Sequence, residues 1–208
     1  MIDETMSAMS SPLDDLLHRI AALERELEAE RIRLGERWRY RIEHGRVWFE
    51  RDVRDAHRRL RRSVARYLRE SQIPNMLTAP VIYSLIVPVA LLDLWVSVYQ
   101  TVCFRVYGIA RVKRSTYIVI DRHHLSYLNG IEKLNCMFCS YANGVFAFVR
   151  EVAGRTEQYW CPIRHAKRVH GSHTHYRDFV DYGDAEAYHQ RLAGLRKALA
   201  DQPPARDR

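Results

Sequence analysis

A mainly α chain held at a membrane is what this sequence predicts, on three observations. Leu13, Leu16, Ile20, Leu23 and Leu27 recur in alternating steps of three and four. Val53, Ala56, Leu60, Val64, Tyr67 and Leu68 recur at helical spacing with arginines between them. A third stretch, from Ala79 to Phe104, carries Asp93 as its one charged side chain. The expected order is an N-terminal amphipathic or coiled-coil helix, a basic surface helix, a membrane-embedded helical hairpin and a small helical Cys/His domain.

The first ten residues read as disordered. Ser11 and Pro12 form an N-cap and first-turn pair, with Asp14 and Asp15 where the helix dipole favours acids, so the first helix is expected over 11–34. Its a/d seam lasts about three heptads, enough for a homodimeric coiled coil through residues 13–34 or for packing on its own chain. In the basic region 35–73, Trp38, Tyr40 and Ile42 alternate like a strand and His44-Gly45 can turn the chain toward Val47–Phe49. From Asp52 to Glu70 the pattern is a basic amphipathic helix, suited to a lipid surface or an acidic partner.

Residues 74–108 form the membrane segment. No charge interrupts Ala79–Leu92, but a single span would bring Asp93 toward mid-bilayer, which is costly. Pro80 near its start and Pro88 within it supply bends for a re-entrant hairpin. Both flanks are basic: Arg58, Arg59, Arg61, Arg62, Arg66 and Arg69 precede the segment, and Arg105, Arg111, Lys113 and Arg114 follow it. A single crossing concentrates Lys and Arg on one side, so symmetry favours a hairpin over a span or a buried core helix. Tyr83, Trp95 and Tyr99 suit interfacial anchoring in either membrane arrangement.

The net charge of +8 permits nucleic acid, anionic lipid or an acidic protein as partner. Because the arginines flank the apolar segment and no nucleic-acid motif accompanies them, anionic lipid is the preferred partner, with an unidentified protein beside it. The N-terminus shows no secretory signal, which places the expected location at the cytoplasmic face of the inner membrane. In a reducing compartment the four cysteines suit a metal or redox role better than a structural disulfide.

In residues 109–183 a short β-rich run, Tyr117–Ile120, precedes helices expected at His123–Leu134 and Asn143–Glu157. Asp184 caps a last helix through Leu199 (184–200), and 201–208 reads as a disordered tail. Cys136-Met-Phe-Cys139 is a Cys-x-x-Cys knuckle, and Cys161-Pro-Ile-Arg-His165 follows, with His170, His173 and His175 after it. Three thiolates and an imidazole match a tetrahedral zinc site, with His170, His123 and His124 as alternate ligands. One ion can be shared only if Cys139 and Cys161 approach within about 4 Å, which a helix continuous between them forbids. Iron, an iron–sulfur cluster, or a Cys136/Cys139 dithiol is the redox alternative. Glu132, Glu151 and Glu157 read as exposed helix carboxylates. With no phosphate loop or serine elbow, an enzyme acting on lipid lacks a nucleophile, and a non-catalytic adapter is favoured.

Cys161-x3-His165 is similar to the end of the CDGSH-type iron–sulfur motif, a resemblance that implies a redox cluster. Cys-x-x-Cys stands here in place of that family's Cys-x-Cys. Tyr127-Leu-Asn, Glu132-Lys-Leu-Asn-Cys-x-x-Cys and Arg155-Thr-Glu-Gln-Tyr-Trp-Cys-Pro-Ile163 resemble a bacterial family of membrane-associated proteins over Ile73–Ala166. That resemblance implies an architecture and no activity.

Overall fold

A computed structural model describes residues 12–43 and 46–201, and the expectations for both termini, for the Ser11 cap and for the His44-Gly45 turn lie outside them. The chain is mainly α, as its apolar periodicities predict. It divides into two compact units at Arg61.

The first unit holds helix α1 (Pro12–Arg37), an antiparallel hairpin of β1 (Tyr40–Glu43) and β2 (Arg46–Phe49), and helix α2 (Arg51–Arg59). The hairpin pairs Tyr40 with Phe49 and Glu43 with Arg46. The Tyr40 and Phe49 rings lie 5.7 Å apart, a cross-strand aromatic pair of the kind that supports so short a ribbon. Arg39 turns the chain out of α1 with φ of +55°. Its guanidinium pairs with Glu50 and, at 2.6 Å, with Asp52, tying that turn to the start of α2.

The expected single helix from Asp52 to Glu70 is interrupted. Residues 60–63 leave helical geometry, and Ser63 accepts the Arg66 N–H at 3.3 Å to cap α3 (Val64–Glu70), the first helix of the second unit. Then come α4 (Ile73–Ser84) and α5 (Ile86–Tyr99), a π-helical turn over Gln100–Phe104, and α6 (Arg105–Tyr107), which ends at Gly108 with φ of +68°. The expected membrane hairpin does not form. Pro88 lacks the N–H that would bond the Ser84 carbonyl, so the backbone tightens at Leu85. Leu85 nevertheless keeps right-handed helical angles (φ −63°, ψ −14°), and α4–α6 runs on as one apolar helix, Ile73–Tyr107, of 35 residues. At 1.5 Å per residue it is about 50 Å long.

Beside it lies α7 (Gly130–Trp160), 31 residues without a break, where two helices were expected. Its start is set by a reciprocal capping box. Asn129 Oδ1 accepts the N–H groups of Ile131 and Glu132 at 3.0 Å each, and the Glu132 carboxylate accepts the Asn129 N–H at 2.9 Å. Arg122–His124 make only a single 3-10 turn before it. The two long helices run parallel: Tyr83 bonds Asn135, Asp93 bonds Tyr141 and Tyr99 bonds Thr156, contacts that climb both helices together.

A parallel pair requires the chain to travel back, and residues 109–129 do so as a strap. Val112 bonds Gln100, Arg114 bonds Asp93, and Ile118 lies against Gly144. A Cβ at Gly144 would stand 2.8 Å from the Ile118 Cα and the Tyr117 carbonyl, so glycine is what lets the strap approach α7. The expected Tyr117–Ile120 strand is therefore a stretch of unpaired strap. Helix α8 (Ala185–Ala200), capped by Asp184 at 2.9 Å to the Ala187 N–H, closes the other side. The main core joins Phe104, Ile109, Val112, Phe148, Val152 and Leu199, and a second cluster of Val89, Ala142 and Val145 seals α5 onto α7.

Candidate membrane-attachment site

The helix 73–107 has two faces of opposite character. Toward α7 it presents Val89, Asp93, Gln100 and Phe104, all buried. Away from α7 it presents Ile73, Leu77, Val81, Val87, Leu91, Leu94, Trp95, Val98, Val102 and Val106, all exposed. These fall within one broad sector at 100° per residue, an amphipathic pattern in which the apolar side faces outward. Between Glu70 and Arg105 the only charge is Asp93. A charge-free stripe of this length, interrupted only by the exposed Ser84 between Val81 and Val87, far exceeds what a folded soluble surface ordinarily leaves uncovered.

Asp93 points away from that stripe. Arg114, reaching in from the strap, donates from Nε to Oδ1 at 2.9 Å and from Nη2 to Oδ2 at 2.5 Å, and the Tyr141 hydroxyl donates to Oδ2 at 2.9 Å. The carboxylate that looked costly in an apolar segment is thus a satisfied inner-face group. The bond to Asp93 holds Arg114 more firmly in its charged form, and burial with Asp93 close by pushes the Tyr141 hydroxyl up. Gln100 acts in the same way, with its Oε1 accepting the Val112 N–H at 3.1 Å inside the core. Of the three aromatic anchors expected, Trp95 faces outward at 74% exposure, while Tyr83 and Tyr99 turn inward to Asn135 and Thr156. Pro80 and Pro88 are both exposed on the helix.

The arginines at 58, 59, 61, 62, 66 and 69 are exposed, as are Arg111, Lys113 and Arg114. Arg62 pairs with Glu70 at 3.3 Å and Arg111 with the Thr101 hydroxyl at 3.0 Å, both at the surface. Such contacts leave guanidinium N–H groups for anionic oxygens.

The Cys/His constellation is not assembled. Cys136 and Cys139 lie within α7 and Cys161 caps its far end, so the continuous helix from 140 to 160 separates the last two by about 33 Å. One ion cannot bridge sulfurs so far apart, and the shared Cys136, Cys139, Cys161, His165 site falls with the helix break it required. His165 stacks on Tyr176, with ring centroids 6.2 Å apart. His170 is exposed on the following loop. His123 and His124, at the N-terminal end of α7, stand at the end opposite Cys161, which removes them as alternate ligands beside it. Burial, with Glu157 near, raises the Cys161 thiol, and all four thiols are free. Among the described residues no three His, Cys, Asp or Glu side chains are placed to hold one metal ion.

A different cluster was missed. Arg155, buried on α7, donates from Nε to Glu151 at 2.8 Å and from Nη1 to the Ala110 carbonyl at 2.7 Å. His175 Nε2 meets Glu151 at 3.0 Å, and His173 Nε2 meets Glu157 at 2.8 Å. Burial opposes ionisation of Glu151, but the hydrogen bonds from His175 and Arg155 outweigh it and hold the carboxyl down to about 2. Glu151 and Glu157 are therefore not free surface carboxylates. They fasten the 161–183 loop to α7, and Gly154 gives that loop room, since a Cβ there would meet the His173 ring at 2.8 Å. The Glu151/Arg155 spacing of four and the His-x-His pair were the available signals. Neither shows from sequence that both face inward.

Comparison with protein-family models, with curated proteins and with solved structures found no match.

Proposed function

We propose that the chain is a membrane-attached, non-catalytic accessory or adapter protein, lying by the outer face of helix 73–107 in the cytoplasmic leaflet of the inner membrane. The observation that carries this reading is the charge-free outer face of a 35-residue helix whose one acid is satisfied on the inner side. Residues 73–107 are long and apolar enough to cross a bilayer. Crossing, however, would carry the exposed Lys113, next in the strap to the Arg114 that pairs with Asp93, toward the bilayer interior. A cation at the bilayer centre costs about 2.5–3.5 kcal/mol. Lying in the interface keeps it in water and leaves Arg62, Arg66, Arg69, Arg105 and Arg111 for anionic head groups, each worth about 1 kcal/mol.

Flotation with phosphatidylglycerol vesicles tests attachment. The chain should float, and Leu91→Glu with Trp95→Glu should leave it in the dense fraction; a chain that stays dense unmodified refutes the proposal. Thiol-specific labelling of Ser71→Cys and Arg111→Cys, each in a chain with its four cysteines replaced by serine, tests orientation. Both should react from the same side, whereas opposite sides would establish a crossing.

The adapter role draws support from α1, whose Leu16, Ile20, Leu23 and Leu27 are 53–63% exposed and keep the a/d spacing. A second copy pairing along this seam would bury them, and a shared membrane favours so short a coiled coil. Sedimentation in detergent should give a dimer mass that Leu23→Lys with Leu27→Lys halves. An unchanged mass in the variant rejects α1 as the dimer contact.

A further inference from the structure

Between α3, α4 and the first turns of α7 lies an open apolar groove of about 590 Å³. Leu68, Met76, Ala79, Ile82, Leu134 and Phe138 wall it, with Tyr83 and Asn135 hydrogen-bonded at its inner side. Its volume falls in the range of small-molecule sites, about 300–1,000 Å³. We propose that this groove takes one acyl chain of a membrane phospholipid, drawn sideways from the leaflet against which helix 73–107 lies; the proposal rests on that membrane reading.

Two features favour this occupant. The first is continuity. Met76 is 45% exposed at the edge of the outer apolar face and also lines the groove, so a chain can pass from bilayer to groove without crossing polar surface. The second is shape: α3, α4 and the first turns of α7 wall an open apolar slot, with Ile82 and Leu134 exposed along it, suited to an unbranched hydrocarbon.

The test uses the full chain on vesicles of phosphatidylglycerol or phosphatidylcholine doped with the same lipid carrying a diazirine in one acyl chain. Crosslinked peptides are located by mass spectrometry, and flotation is measured on the same samples. Beyond the outer face of the helix, labelling should reach the groove walls at Leu68 and at residues 131–139. Ala79→Trp fills the groove and should lower that labelling about tenfold, as loss of about two buried methylenes does, with flotation unchanged. If Ala79→Trp loses its helical circular dichroism, Leu134→Asp, at an exposed wall position, replaces it with the same expected loss. Labelling confined to the outer face of helix 73–107, absent from residues 131–139 and insensitive to both groove variants, overturns the proposal while leaving attachment standing. A chain that fails to float at all defeats the membrane reading itself.

Discussion

Replacing Glu151 probes a buried ionic cluster outside the membrane face. Arg155 is 6% exposed at its side chain and Glu151 13%, so the pair sits where water screens it little. Its acid is held near 2 against an ordinary 4.5, a difference of about 2.5 units or about 3 kcal/mol. The folded-state value is depressed, so this stabilisation is fully present above pH 4.5 and is lost as the pH falls toward 2. Glu151→Gln leaves the Arg155 guanidinium with the Ala110 carbonyl but without a counter-charge, which costs about 3–5 kcal/mol. Denaturant unfolding followed by far-ultraviolet circular dichroism in one detergent, at pH 7 and pH 3, measures both effects. The gap between native chain and variant should be about 3 kcal/mol or more at pH 7 and about 2 kcal/mol smaller at pH 3. The double variant Glu151→Leu with Arg155→Met should recover part of the pH 7 loss, because no unpaired guanidinium is left buried, while His175 and the Ala110 carbonyl each lose the hydrogen bond they made to the pair. A variant within about 0.5 kcal/mol of the native chain at pH 7, or a gap that does not narrow with acid, would refute this account of the cluster.

Two further outcomes follow from the inner face. Asp93→Ala removes the acceptor for Arg114 and Tyr141 and should destabilise by about 2 kcal/mol, whereas Asp93→Leu with Arg114→Leu should cost clearly less than Asp93→Ala, by the same unfolding assay. Gly144→Ala puts a methyl against the strap backbone and should cost about 1–3 kcal/mol; hydrogen exchange should rise at 112–120 before it rises in α7.

Much of the helix content was legible because it is written in local patterns. The a/d seam of α1, the Asp184 cap of α8 and the apolar run after Ile73 each need only near neighbours in the chain to be read. The capping box Asn129-Gly-Ile-Glu132 was equally local and marked the true start of α7, but the expectation of two helices passed over it. The turn expected at Pro88 erred in the opposite sense. A proline removes one hydrogen bond and here tightens one residue, and packing along α7 keeps the direction unchanged.

The sequence by itself determined that this chain is helical, that its apolar residues exceed what its own core uses, and that arginines bracket the excess. Periodicity, capping and charge placement are properties of neighbours along the chain. Tertiary structure alone decided that Asp93 faces Arg114 and Tyr141, that Glu151 and Arg155 are interior, and that Cys139 and Cys161 stand at separate levels of one helix. Those outcomes depend on which way a helix is rotated and on which segment returns beside it. A strap 20-odd residues long, admitted by the bare backbone of Gly144, sets both.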